Sequence, residues 1–219
     1  MDREAAKLIR ANVEALKKED LDPIYNQCTE REMVKAVTRV FLRIGVDPLK
    51  YVTKILDYML AHSTLKEAII GDKITHIGKY AFAYCLRLEK VQFGQGVSEI
   101  GNFAFMNCTS LTSITIPRNI GSIGEMAFNG CEHLEYVTLL PGVEVIDDGA
   151  FFNCKGLKSI EIPDTVTYLG DFAFKECGNI DIHYGGTTDN WQKLVLSKMK
   201  FLGTKYTCHC SDGTVKNWS

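Results

Sequence analysis

The chain has 219 residues, a formal net charge of −2, 46% hydrophobic and 24% charged residues, an ordinary globular balance with length for one large or two small domains. Residues 65–184 carry nine Lys/Arg against fifteen Asp/Glu, and this acidic middle argues against nucleic acid, which needs a basic surface. No apolar run approaches the ~20 residues of a membrane span, and Met1-Asp2-Arg3-Glu4 lacks the apolar stretch of a secretory signal, so a cytoplasmic protein with no membrane contact is expected.

The first predicted elements are helices. Ala5, Leu8, Ile9, Val13 and Leu16 recur at helical spacing over residues 2–19, and Asp22-Pro23 breaks the run. Thr29-Glu30-Arg31-Glu32 reads as a capping box. The stripe Met33, Val34, Val37, Val40, Phe41 and Ile44 comes after it, and Gly45 ends the helix. Asp47-Pro48 starts a third helix, with Leu49, Val52, Ile55, Leu56, Met59 and Leu60 on one face. Residues 1–64 are therefore expected to form an α-helical domain that caps the remainder of the chain. A dedicated interaction domain is the alternative.

From residue 65 the chain repeats itself every 23 residues. Cys85, Cys108, Cys131, Cys154 and Cys177 keep that step. So do the pairs Ala81-Phe82, Ala104-Phe105, Ala127-Phe128, Ala150-Phe151 and Ala173-Phe174. Apolar columns run in phase with them: Ile77, Ile100, Ile123, Ile146, Leu169, and Leu65, Leu88, Leu111, Leu134, Leu157, Ile180. A fixed period of about 20–29 residues with leucine-type columns marks a leucine-rich repeat.

One unit, residues 111–133, shows the physics. Leu111-Thr112-Ser113-Ile114-Thr115-Ile116-Pro117 alternates as a half-buried strand, and Pro117 ends it, having no N–H for a ladder. Ile120 and Ile123 point back to the core, and Glu125-Met126-Ala127-Phe128 begins an expected helical turn. One coil cannot bury its apolar side alone, whereas a stack can. The expected architecture over 65–184 is thus an α/β solenoid, with a parallel sheet on the concave face and short helical turns on the convex face. Counting back 23 from Phe82 and Cys85 gives Met59 and His62, so residues 48–61 are expected as the outer helix of an atypical first unit. At the other end, Ile180-Asp181-Ile182-His183-Tyr184 is one residue short of the phase.

These residues resemble the BspA-like leucine-rich repeats, whose pattern Leu-x-x-Ile-x-Ile-Pro-x-x-Val-x-x-Ile-Gly-x-x-Ala-Phe-x-x-Cys recurs through 65–184. The ending is similar too. Tyr184-Gly185-Gly186-Thr187 with Trp191 and Leu194 looks like the family's terminal strand and helix, and Cys208 to Val215 like its final hairpin, so 185–219 is expected as the C-terminal cap. The resemblance implies a protein that binds other proteins, often at a cell surface.

The chemistry of sites is sparse. The cysteine column lies one coil apart in a line, whereas zinc ligands converge, so a ladder of buried thiols is expected. Cys208-His209-Cys210 is the densest cluster of metal-type ligands, but strand alternation puts the thiols on one face and the imidazole on the other. An ordinary hairpin is the favoured reading and a metal the minor one. His62, His76, His133 and His183 are scattered along the chain. Phosphate-loop, serine-elbow and zinc-protease motifs are missing, so neither an enzyme nor a cofactor is expected.

Binding is expected on the exposed grid of the sheet, at Lys90, Gln92, Ser113, Thr115, Tyr136, Thr138, Leu140, Ser159 and Glu161, with Tyr136 as the anchor. A second stripe, Tyr80, Phe103, Met126 and Phe172, reads better as half-buried between coils. The expected function is a non-catalytic module that binds a protein partner of unknown identity. The alternatives are an intracellular inhibitor from a phage or mobile element, a surface adhesin, and a subunit that assembles through its ends.

Overall fold

A computed structural model describes residues 54–196 and 198–217. The helices expected over 2–19 and 29–44 lie outside them, as does the start of the third. The described chain winds as a solenoid. Each coil opens with a main strand: β1 (Glu67–Ile70), β2 (Lys90–Phe93), β4 (Ser113–Ile116), β6 (Tyr136–Leu139), β8 (Ser159–Ile162) and β10 (Ile180–Tyr184). Shorter strands β3 (Glu99–Ile100), β5 (Ser122–Ile123), β7 (Val145–Ile146) and β9 (Tyr168–Leu169) alternate with them. The chain closes with helix α1 (Thr188–Leu194), a 3-10 turn (Lys198–Phe201) and the hairpin β11 (Tyr206–Cys210) and β12 (Gly213–Asn217). No helix among the described residues is long and apolar enough to cross a membrane.

The main strands pair in parallel with a 23-residue register, Ser113 opposite Tyr136 and Tyr136 opposite Ser159. The register drops to 22 where Ser159 meets Asp181, which is the one-residue shortening visible in the sequence. β1 and β2 form their own ladder, and β4 starts a six-stranded sheet ordered β4-β6-β8-β10-β11-β12. The short strands build a second parallel sheet, β3-β5-β7-β9, which the alternation of Ile120 and Ile123 alone does not announce. Isolated bridges from Ile55 to Ile77 and from Ile77 to Ile100 carry it back to the first coil.

The third side differs from expectation. It holds stacked turns rather than helical ones. Tyr80, Phe103, Met126 and Phe172 adopt φ between 53 and 59°, and Gly149 supplies the same conformation in the remaining coil. A second left-handed position comes next at Tyr84, Asn107, Gly130, Asn153 and Glu176. In a helical turn the N–H groups would bond within their own coil. Here every second N–H turns along the stack, while those between them, such as Ala104 to Gly101 at 3.2 Å, stay within the coil. The N–H of Phe82 donates to Ala104 at 2.7 Å, Phe105 to Ala127 at 2.8 Å and Phe128 to Ala150 at 2.7 Å. A left-handed L-residue costs about 1 kcal/mol or more. At Tyr80 and Phe103 ring stacking offsets it, with Tyr58 on Tyr80 at 4.7 Å and Tyr80 on Phe103 at 4.6 Å.

Two ladders fill the interior. Phe82, Phe105, Phe128, Phe151 and Phe174 stack face to face at 4.9 to 5.5 Å, all fully buried. Beside them each thiol donates to a carbonyl of the preceding coil: Cys108 to Phe82, Cys131 to Phe105 and Cys154 to Phe128, all at 3.2 Å. The cysteines are free and buried, and burial pushes Cys131 up to about 12.

Both ends shift the phase. In the first coil the step is 22 rather than 23. Leu60, not Met59, underlies Phe82, its N–H donating to Ala81 at 2.8 Å. Ser63, not His62, meets Cys85, at 3.1 Å. The helix expected through 61 is also absent from 54–61, where a bridge at Ile55 and a left-handed Tyr58 replace it. These residues satisfy the backbone of the next coil, which a closed helix could not do. At the far end the step lengthens to 27. Phe201 stacks on Phe174 at 5.0 Å, and the Thr204 hydroxyl donates to Phe174 at 2.6 Å, doing with oxygen what the thiols do with sulfur. α1 is capped by Thr187, whose hydroxyl accepts from the Asn190 N–H at 3.3 Å. It lowers a fully buried Trp191 onto Tyr184 and Tyr206, at ring separations of 5.3 and 5.8 Å.

Candidate binding face on the main sheet

Strand alternation fixes which side chains face outward. In β4 the pattern is exposed, buried, exposed, buried, and Ile114 and Ile116 take the buried places. The residues left outside form two columns in strict register. One runs Ser113, Tyr136, Ser159, and the other Thr115, Thr138, Glu161. Lys90 and Gln92 continue them on β2, opposite Glu67 and Ile69. The six-stranded sheet therefore carries six of the nine expected residues, and Lys90 and Gln92 lie on the separate β1–β2 ladder next to it. Leu140 comes directly after β6 as a half-buried residue whose N–H donates to Ile116 at 2.9 Å.

The columns are not uniform. At the β1–β2 end the polar groups are satisfied among themselves: Lys90 reaches the Glu67 carboxylate at 3.1 Å, and Gln92 donates to the same carboxylate oxygen at 3.1 Å. A partner would have to break that arrangement to use either. In the middle Ser113, Thr115 and Thr138 surround Tyr136, which is 52% exposed. The Lys158 ammonium lies 6.0 Å from the Tyr136 ring centre and 2.8 Å from Glu135. Its hydrogen bond to Glu135 holds it above the ordinary lysine range. The tyrosine is thus steadied from one side by a cation and open on the other.

Toward β10 and β11 the same columns continue through residues that lie far apart in the sequence. Asp181 stands opposite Ser159 and Thr207, and His183 opposite Glu161 and His209. His183 and His209 are not scattered: their rings stack at 5.2 Å with 18° between planes. Both turn Nε2 to Asp181, at 3.5 and 2.8 Å. A signal existed in the sequence. Ile180-Asp181-Ile182-His183 aligns with Tyr206-Thr207-Cys208-His209 at an offset of 26, outside the 23-residue period.

The hairpin behaves as alternation predicts. Cys208 is buried, Cys210 is half-buried and 3.7 Å from it, and His209 faces out. No group of three or more metal-ligating side chains forms among the described residues. The stripe Tyr80, Phe103, Met126 and Phe172 is half-buried throughout, as favoured, and Lys79 sits over Tyr80 and Phe103 at 5.5 and 5.6 Å.

Comparison with known proteins agrees with this architecture. A family model described as the BspA type leucine rich repeat region matches residues 53–181 in 6 copies. No curated protein matches. Among solved structures the chain is similar to a leucine rich repeat protein of T. pallidum, with 26% identity and a TM-score of 0.58, over 69% of this chain and 80% of that one. It is also similar to a leucine rich cell surface protein of Faecalibacterium prausnitzii A2-165, with 24% identity and a TM-score of 0.44, over 70% of this chain and 56% of that one.

Proposed function

Because the chain belongs to the BspA type leucine-rich repeat family, we propose that it is a non-catalytic binding module that holds a protein partner against the exposed face of its main sheet. The observation that carries this reading is Tyr136, an aromatic side chain 52% exposed among hydroxyl-bearing neighbours on the main sheet, with the Lys158 ammonium beside its ring. Tyrosine offers a large contact area with few rotatable bonds, and such anchors dominate the energy of protein interfaces. Ser113, Thr115, Thr138 and Ser159 around it carry donors and acceptors and no charge to desolvate. The family's interaction and surface-adhesion roles both call for such a face, and the grid supports either. Lys90 and Gln92, already paired with Glu67, belong to the rim.

The test compares capture by the wild type with capture by a Tyr136→Ala, Thr138→Ala double variant, from whole-cell and surface fractions of the source organism. The expected result is a partner held by the wild type and lost by the variant, with both chains melting at the same temperature. Equal capture by both would remove this face from consideration.

A further inference from the structure

On the inner side of the terminal hairpin, we infer that Cys208 and Cys210 form a reversible redox site, which takes a small disulfide compound as its oxidant and closes to a disulfide within β11. Two residues apart on one strand, the two side chains fall on the same face, and their sulfurs stand 3.7 Å apart. The ladder thiols are placed differently. Cys108, Cys131 and Cys154 are buried, and each donates to a carbonyl of the preceding coil, so an oxidant in solution does not reach them. Among the described residues Cys210 alone is half-buried, with Cys208 buried beside it. An accessible thiol backed by a second one within van der Waals reach is the arrangement of an attacking and a resolving cysteine. Burial pushes both thiols above the ordinary cysteine range. The hydrogen bond from the Cys208 S–H acts the other way on Cys210 and favours its thiolate. The thiolate is the attacking species, so exchange begins at Cys210.

The Cys210 thiolate attacks one sulfur of the oxidant RSSR, forming a mixed disulfide and releasing RS⁻. Cys208, deprotonated in turn, attacks the Cys210 sulfur and releases the second RS⁻. The oxidant is reduced to two RSH, the two cysteines are oxidised to one disulfide, and the protons they lose are those the two released thiolates gain. The sulfurs must close from 3.7 Å to about 2.05 Å. Two extended residues span about 6.7 Å, near the upper end of the Cα separations of about 4.4–6.8 Å that disulfides bridge. The ring is therefore tight, and an excess of thiol reopens it. The hairpin has room to give, because Cys210 pairs with Gly213 at the turn and β12 is the last strand of the sheet. His209 sits between the two cysteines on the opposite face, bonded to Asp181 at 2.8 Å. Contraction of β11 on the inner side thus carries to the exposed side of the main sheet.

The test exposes the folded full chain, carrying Cys28→Ser, to glutathione disulfide in mild alkali and follows its mass after quenching with acid. The expected product has lost two hydrogens per chain, maps by proteolysis to the peptide holding Cys208 and Cys210, and returns to the starting mass in excess glutathione. With Cys208→Ser added, the reaction is expected to stop at one glutathione adduct on Cys210. With Cys210→Ser added, the hairpin is expected to stay unmodified, since Cys208 is buried. The imidazole C–H proton resonances of His209 are expected to shift on oxidation in the chain that keeps both thiols. The mass of that chain decides the matter whether or not either variant folds. An adduct on Cys210 that never resolves, a covalent dimer through Cys210, no reaction at the hairpin, or an oxidised chain with His209 unmoved would each overturn the inference.

Discussion

The two sides of one strand follow different rules. On the inner side of β4, β6 and β8, Ile114, Val137 and Ile160 repeat nearly one residue type, and behind them the phenylalanine and cysteine ladders repeat without change over five coils. On the outer side the aligned positions read Ser113, Tyr136, Ser159 and Asp181. An interior residue meets its own equivalent about 4.8 Å above and below, so a change of shape in one coil opens a gap in three. An outer residue meets water and tolerates change. Sequence uniformity here measures packing, and variety marks positions that packing leaves free.

The comparison breaks most sharply at the ladders. Phe128 lies between Phe105 and Phe151 at 5.2 and 5.3 Å. Phe128→Ala should lower the unfolding free energy by about 3–5 kcal/mol, read from urea denaturation. A loss under about 1 kcal/mol would mean that the coils collapse around the void. Alkali probes the second ladder. The native thiol of Cys131 is raised from 9.0 to about 12, so unfolding releases its proton more readily. Its stabilising contribution is complete below pH 9 and disappears as pH rises toward 12. The melting temperature should fall across that window, and less so in Cys131→Ser. Near neutral pH, alkylation mapped by mass spectrometry should reach the half-buried Cys210 well before Cys131.

A smaller effect separates hydroxyl from methyl. Ser63 and Thr204 occupy the cysteine position in the end coils. Cys131→Ser should therefore keep the bond to Phe105, and Cys131→Ala should cost about 1 kcal/mol more. The smallest effect on stability belongs to the outer side. Tyr136→Ala should leave the unfolding free energy within about 0.5 kcal/mol while reducing partner affinity at least roughly tenfold, as loss of an interface anchor does. Destabilisation matching that of Phe128→Ala would show that the two sides are not independent.

Most of the solenoid was readable because every coil buries the same positions, and repetition turns burial into a visible period. The ends were harder to read. The offset of 22 that puts Leu60 under Phe82, and the offset of 27 that puts Phe201 on Phe174, leave no periodic trace. The left-handed turns were hidden for another reason. Tyr80, Phe103 and Met126 are not residues that announce a positive φ, and their conformation comes from stacking on the neighbouring coil. The exposed columns of the main sheet were legible from alternation alone. The pairing of His183 with His209 was not, because it depends on the terminal offset of 26.

The end coils do more than close the stack. The middle coils share one step and one set of contacts, while Leu60 and Ser63 on one side and Trp191, Phe201 and Thr204 on the other meet, among the described residues, the coil next to them. A further copy of residues 111–133 spliced in after His133 would meet the same partners above and below. The chain would then lengthen by one whole turn, extending the outer grid by about 4.8 Å and leaving both closures untouched. Reach is therefore an adjustable dimension of this molecule, set in discrete steps by the number of turns and independent of what any single row displays.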